Sequence, residues 1–196
     1  MNVNILDTLE RGSVFEVLVA TENSGGCVNI KPFGVIYDGE NFVLNLFSNE
    51  SLLNVKDTGK LTIYFTDDAL LFTRALIANL TADELTGSVA CGVCCEVTVI
   101  GSSSVEDSIG KNTTSKIIAK PIKIKEYNKA LPIINRATNH IIELLVDLSR
   151  YQYMNVHARN KFIEKILESE KTIRKTGNKK HEKAIKLIKK EINMKE

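Results

Sequence analysis

The sequence predicts a six-stranded antiparallel β-barrel with a helical C-terminal extension. Three observations carry that prediction. Between residues 13 and 125 the apolar residues recur with a period near two, and from residue 133 the period moves to near 3.6. The period-two segments are joined by hairpin turns and short polar stretches, with no long helix between strands before residue 128, which argues against a parallel sheet. Six short strands joined in this way close most simply on themselves as a small barrel.

Taken in order, Val14, Phe15, Val17, Leu18 and Val19 make 13–21 the first strand. Asn-Ser-Gly-Gly at 23–26 is a hairpin signal, and 27–37 is the return strand. Pro32 and Gly34 inside that strand mark an edge, a bulge or a ligand contact. A second turn, Asp-Gly-Glu-Asn at 38–41, leads to a third strand at 42–47, where Phe42, Leu44 and Leu46 face one way and Val43, Asn45 and Phe47 the other. A short helix at 49–57 buries Leu52, Leu53 and Val55 and stops at Gly59. A fourth strand at 61–65 runs into Thr66, Asp67 and Asp68, which cap a helix at 70–80. After a loop or strand entry at 87–92, the fifth strand covers 94–100 and the sixth 116–125, with the polar stretch 101–111 expected as an exposed loop between them. Three apolar stripes follow: Ile133, Ile134, Ala137, Ile141, Leu144, Leu145 and Leu148; then Phe162, Ile163, Ile166, Leu167 and Ile173; then Ala184, Ile185, Leu187, Ile188 and Ile192. These predict an antiparallel helical hairpin plus a tail. The chain thus reads as a barrel domain at 1–127 and a helical subdomain at 128–196 that packs on it.

Composition is that of a globular protein, with 196 residues, 43% of them hydrophobic and 26% charged. No apolar run reaches the length of a membrane span, and the N-terminus lacks the basic and long apolar regions of a signal peptide, so a cytoplasmic location is expected. Charge is divided unevenly. Residues 151–196 carry 13 Lys and Arg against 6 Asp and Glu, whereas 1–150 carry 13 against 18. The basic end raises the question of nucleic acid, but no aromatic is interleaved in 179–196 to stack on bases, and solvated helix faces are the simpler account.

Three of the four cysteines lie in Cys-Gly-Val-Cys-Cys at 91–95. Zinc would require a second ligand pair, and a redox pair would sit at a helix start, where a dipole lowers the thiol pKa. This stretch leads instead into a β-rich one, so buried strand cysteines are expected. His140, His157 and His181 all fall in the helical third and read as surface or core residues. No metalloprotease, serine-hydrolase, Walker or dinucleotide-binding motif is present.

One turn has chemistry of its own. Ser48, Asn49 and Ser51 stand where the third strand becomes a helix, and a helix start offers unpaired N–H groups and partial positive charge that suit a phosphate. Plain N-capping uses the same residue types. Lys31 and Arg74 are candidate cations for that site. Pro32, Phe33 and Gly34 offer backbone at close range to a flat ligand, and Thr66 and Asp67 end a strand that can meet the same ligand.

These residues carry a resemblance. Asn-Ile-Lys-Pro-Phe-Gly-Val-Ile at 29–36, Val-Leu-Asn-Leu-Phe at 43–47, Leu-Leu-Asn-Val-Lys-Asp-Thr-Gly at 52–59 and Ile-Tyr-Phe-Thr-Asp-Asp-Ala-Leu-Leu-Phe at 63–72 resemble an archaeal family of uncharacterised proteins with the FMN-binding split-barrel fold of the flavin reductase-like superfamily. The stretch 128–148, with Asn135, Arg136 and Ala137, is similar to that family's helical segment. The resemblance implies a six-stranded split barrel and a homodimer with FMN at the interface. It implies phosphate contacts at Ser48, Asn49 and Ser51, a ring along Lys31, Pro32, Phe33 and Gly34, and further contacts at Thr66, Asp67 and Phe72. It implies no catalytic side chain, and the function that follows is a flavoprotein passing hydride or electrons from a reduced nicotinamide or deazaflavin to an acceptor. The alternatives are a non-catalytic module for FMN, a deazaflavin or a pterin, and a flavin-free oligomer touching nucleic acid through its basic helices.

Overall fold

The computed structural model describes residues 5–78, 80–81, 83–85, 88–107, 110–127, 132–148 and 150–193. The sequence expectations at residues 1–4, 79, 87, 108–109, 128–131 and 194–196 lie outside these residues. Strands β1 (Val14–Glu22), β2 (Val28–Tyr37), β3 (Phe42–Phe47), β4 (Lys60–Phe65), β5 (Cys91–Asp107) and β6 (Gly110–Glu126) form a closed antiparallel barrel in the order β1-β2-β3-β6-β5-β4. β1 pairs with β4 at Leu18↔Tyr64 and so closes the sheet.

Alternation decides the core. Phe42, Leu44 and Leu46 of β3 are buried while Asn45 and Phe47 are exposed, as the period-two pattern predicts. With Val17, Ile63, Phe65 and Ile117 they fill the barrel, each burial contributing about 1.5–3 kcal/mol. Phe42 and Phe65 meet tilted, ring centres 6.1 Å apart, a favoured aromatic geometry. Turn chemistry agrees with the sequence: Gly26 and Gly39 have positive φ, and Asp38 Oδ1 accepts from the N–H groups of Glu40 and Asn41.

Two short helices flank the barrel strands. α1 (Glu50–Thr58) begins at the Asn49 cap and ends at Gly59, whose φ of 65° favours glycine. α2 (Ala69–Ile77) begins at the Asp68 cap and packs Leu71 and Ala75 on Leu18 and Ile30, a second apolar cluster outside the barrel core.

Two expectations require correction. Residues 101–107 and 110–111 are strand rather than loop: β5 runs on to Asp107 and β6 starts at Gly110, pairing Ser103↔Thr114 and Glu106↔Lys111. A Ser-rich strand satisfies its backbone by pairing with its hairpin partner, so polarity alone does not make a loop. Leu53 is not buried but 67% exposed, while Ser51 and Asn54 turn inward.

The chain divides into two compact units, Met1–Arg11 with Phe15–Ile133, and Gly12–Val14 with Ile134–Glu196. The second holds α3 (Arg136–Leu148), α4 (Val156–Thr176) and α5 (Lys179–Glu191). All three helices share one core, built on Ala137, Leu144, Phe162, Ile166, Ile173 and Ile188, rather than forming a hairpin with a tail. Leu145, Leu167 and Leu187, expected inward, are exposed. Within this unit Asn135 Nδ2 donates to the carbonyls of Val14 and Thr176, and Lys189 Nζ meets Glu170 Oε2 at 2.6 Å. Among the described residues no helix is long and apolar enough to cross a membrane.

Candidate functional site

β3 ends at Phe47, and the chain turns through Ser48 and Asn49 into α1. The turn is tight: Asn49 N–H donates to Phe47 O at 2.8 Å. Asn49 Oδ1 accepts from Leu52 N–H at 3.2 Å and so takes up one orphan donor of the helix. Ser48 and Asn49 are exposed. Ser51 is buried, and its Oγ accepts from Asn29 Nδ2 at 2.9 Å.

That contact ties the α1 start to β2 at Asn29, two residues before Lys31. It belongs to a buried polar relay that the sequence reading missed. Asn54 Nδ2 donates to Thr21 Oγ1 at 3.2 Å, and Thr21 Oγ1 donates to Asn29 O at 3.4 Å. Four neutral side chains thereby lock α1 to β1 and β2. The available signal was the pair of polar residues, Ser51 and Asn54, three apart in a helix of nine residues.

Farther along β2, the ladder to β3 holds at Ile36↔Val43 and Tyr37↔Phe42. β3 continues to Phe47 on its other edge, pairing with β6 as far as Phe47↔Thr114. Among the described residues the β2–β3 ladder therefore stops short of Lys31, Pro32, Phe33 and Gly34, and backbone groups on that side of β3 are left out of it. Gly34 is exposed, Pro32 and Phe33 are half-buried, and Phe33 packs on the barrel core. Gly34 is not among the glycines with positive φ.

The candidate cations are engaged elsewhere. Lys31 Nζ donates to Ala75 O at 3.0 Å and Ala78 O at 3.2 Å, closing the C-terminal end of α2. Arg74 pairs with Glu84, whose carboxyl is held below its ordinary range chiefly by the N–H of Thr81. Thr66 is buried, donating to Ser88 O at 2.6 Å and accepting from Asp68 N–H. Asp67 is exposed, and Phe72 packs beside Ile30 in the cluster under α2. The structure thus joins β2 to the α1 turn, and places Thr66 and Asp67 at the start of α2.

A separate groove of about 610 Å³ opens on the outer wall of the barrel, lined by Ala20, Thr21, Ile30, Thr62, Tyr64 and Cys94. It meets the candidate elements at Thr21, at Val28 and Ile30 of β2 and at Thr58, the last residue of α1. Thr62 Oγ1 donates to Cys94 Sγ at 3.8 Å. Burial pushes the Cys91 thiol up to about 11 and that of Cys95 up to about 12, so both stay protonated at neutral pH. All four cysteines are free. Gly92 between them is required by packing, since a Cβ there would lie 2.9 Å from the Tyr64 ring. Among the described residues no three His, Cys, Asp or Glu side chains are placed to hold a metal.

Two family models cover nearly all of this architecture. Residues 15–128 match the model described as the N-terminal domain of a protein of unknown function, DUF447, and 135–190 match the companion DUF447 model. The chain belongs to the DUF447 family. Among solved structures it is similar to an FMN-bound DUF447 protein from Methanosarcina mazei, at 23% identity over 92% of this chain and 96% of that one, TM-score 0.49. It is also similar to the styrene monooxygenase flavin reductase of Pseudomonas putida, at 11% identity over 62% of this chain and 84% of that one, TM-score 0.44. A third is the flavoredoxin of Methanosarcina acetivorans, at 10% identity over 67% and 78%, TM-score 0.42.

Proposed function

We propose that this DUF447 protein binds flavin mononucleotide at the β3–α1 turn, as a homodimer, and passes hydride or electrons from a reduced nicotinamide or deazaflavin to an acceptor. The observation that carries the reading is the joining of a neutrally capped helix start to the open stretch of β2 through Asn29 and Ser51. Ser48 and the first N–H groups of α1 suit a phosphate, because the cap itself adds no negative charge, and the exposed Glu50 carboxylate in the same turn must point away from it. Lys31, Pro32, Phe33 and Gly34 then line the ring, with Gly34 leaving room for close approach and unladdered backbone offering polar contacts to the ring edge. Bound flavin supplies the redox chemistry itself. This chain's residues bind, orient and shield it, which asks for no acid or base at the site.

Ser51 supports the site from behind, since its hydroxyl already serves Asn29. Lys31 enters as a residue that fixes α2 beside the ring rather than as a phosphate ligand. Asn49, Thr66, Asp67 and Phe72 act through the two helix starts and the packing beneath them. Membership of one family with the FMN-bound Methanosarcina mazei protein supports the same cofactor here, through shared family rather than structural likeness. Phe47 and Leu53, 47% and 67% exposed on either side of the turn, support a partner chain covering the site.

The test is the visible spectrum of freshly purified protein, with FMN titration of any colourless fraction and sedimentation to read the oligomer. Yellow protein releasing FMN on heating, and a dimeric mass, are expected. Protein that stays colourless in excess FMN would overturn the reading. Bleaching by reduced nicotinamide or deazaflavin in stopped flow separates a redox enzyme from a carrier.

A further inference from the structure

The groove of about 610 Å³ on the outer wall of the barrel holds none of the residues proposed to touch flavin. It follows β4, whose Lys60, Thr62 and Tyr64 all line it. Lys60 and Tyr64 are four residues apart, a span of about 13 Å in a strand. The two ends differ in chemistry. Toward Tyr64 the walls are apolar: Ala20 and Ile30 pack with the Tyr64 ring, which lies over Gly92. Val28 and Ile122 also line the groove, and they are left 38% and 52% exposed. That apolar surface is open to water and available to a ligand.

The other end carries donors with no protein acceptor. Asn23 Oδ1 accepts from the N–H groups of Gly25 at 3.0 Å and Cys27 at 2.9 Å, which leaves its Nδ2 hydrogens unused. The exposed Lys60 ammonium makes no ion pair or hydrogen bond among the described residues. Two carboxylates stand near it in the ladder, and neither takes it. Glu96 lies in register between Lys60 and Lys120, so a second lysine balances it. Glu22, two residues beyond the Ala20↔Thr62 pair, turns its Oε1 to the hairpin, 3.8 Å from the place of a Cβ on Gly26. The hydroxyls of Thr21, Thr58 and Thr62 donate within the protein, to Asn29 O, Asn54 O and Cys94 Sγ. What remains is an apolar slot with an ammonium and an amide N–H₂ at one end. We propose that this groove binds an elongated organic carboxylate, its apolar body on Ala20, Ile30 and Tyr64 and its headgroup on Lys60 and Asn23. A carboxylate accepts charge-assisted bonds from such donors. A mostly apolar pocket with few placed polar groups orients such a ligand by its head. Decanoate, extended, is close to the groove in length.

The experiment is isothermal titration calorimetry of the full chain with decanoate, octanoate and 1-octanol. Saturable binding of decanoate is expected, about 10-fold tighter than that of octanoate for two further buried methylenes. Octanoate should bind roughly 10-fold tighter than 1-octanol, which has the same tail and no charge. Lys60→Met should erase the preference for octanoate and leave 1-octanol unchanged, whereas Lys116→Met, at an exposed lysine outside the lining, should keep the preference. Ala20→Phe should fill the groove and remove binding of all three. Far-UV circular dichroism checks its fold, and if it unfolds, Ile122→Glu, at an exposed lining position, should weaken decanoate roughly 10-fold. Absence of saturable decanoate binding, equal affinities for octanoate and 1-octanol, or an intact preference in Lys60→Met would each overturn the proposal. So would a folded Ala20→Phe variant, or an Ile122→Glu variant, that binds decanoate as the unaltered protein does.

Discussion

The two helix starts of the barrel unit look alike in sequence and differ in chemistry. α1 is capped by a neutral amide that takes one backbone donor, whereas α2 is capped by a carboxylate that takes two, Leu70 N–H at 2.9 Å and Leu71 N–H at 3.0 Å. Both caps are among the residues preferred at that position. The α1 cap leaves donors for an incoming anion, with the exposed Glu50 carboxylate in the same first turn, whereas at α2, which has no acid in its first turn, the Asp68 carboxylate already occupies the anion's role. A phosphate site is therefore read from the charge of the cap and the donors it leaves, not from the presence of a cap.

The sharpest way to break this comparison is to exchange the two caps. Asn49→Asp keeps a capping oxygen but sets a negative charge at the proposed phosphate position. Loss of a charge-assisted contact of about 1.5–3 kcal/mol corresponds to roughly 10- to 100-fold weaker FMN binding. Asp68→Asn should leave the FMN dissociation constant unchanged. Equal effects of the two exchanges in a fluorescence-quenching titration would remove the distinction.

The next effect separates support from contact. Ser51→Ala orphans the buried Asn29 amide and should lower stability by about 1–3 kcal/mol in urea unfolding. Ser48→Ala, at an exposed position, should change stability by less than about 0.5 kcal/mol while still weakening FMN. If Ser48→Ala leaves FMN affinity intact, the phosphate contact is misplaced.

Lys31 offers a smaller test at the opposite end of α2. Lys31→Met removes the ammonium from the carbonyls of Ala75 and Ala78 and should cost about 0.3–1 kcal/mol. The loss should appear as faster hydrogen exchange confined to α2. A large loss of flavin with unchanged exchange would return Lys31 to the phosphate.

The contrast of neutral and charged partners extends to the two units. The barrel unit buries its Asn29, Ser51, Asn54 and Thr21 relay without formal charge, whereas the helical unit uses Lys189–Glu170 and Lys165–Asp147. The Glu170 carboxyl is held below its ordinary value of 4.5, first by its hydrogen bond to Lys189. A depressed carboxylate contributes stability that is full above its unfolded pKa and is lost as pH falls through its folded one. Below pH 4.5 the helical unit should weaken, by about 0.2–1 kcal/mol from this pair. Lys189→Met should flatten that acid dependence in a pH series of thermal melts, and an unaltered acid limb would show that other groups carry it.

Much of the fold was legible because backbone pairing imposes simple periods. The strict alternation of 42–47 gave β3 and its inward face, and glycines with positive φ marked the turns at Gly26 and Gly39 and the end of α1. Residues 101–107 were misread as loop because a paired strand tolerates polar residue types. Leu53 was misassigned because an apolar residue was taken as inward, when Asn54 and Ser51 hold those positions against Thr21 and Asn29.

By itself the sequence determined the strand count, the switch to helices and the residue types at the α1 turn, since each follows from local periodicity and cap preference. Only the tertiary structure decided which polar residues pair and that Lys31 serves α2. Those outcomes depend on which elements are brought within hydrogen-bond reach and which side of a helix its neighbours cover, and a one-dimensional pattern does not carry that distance information.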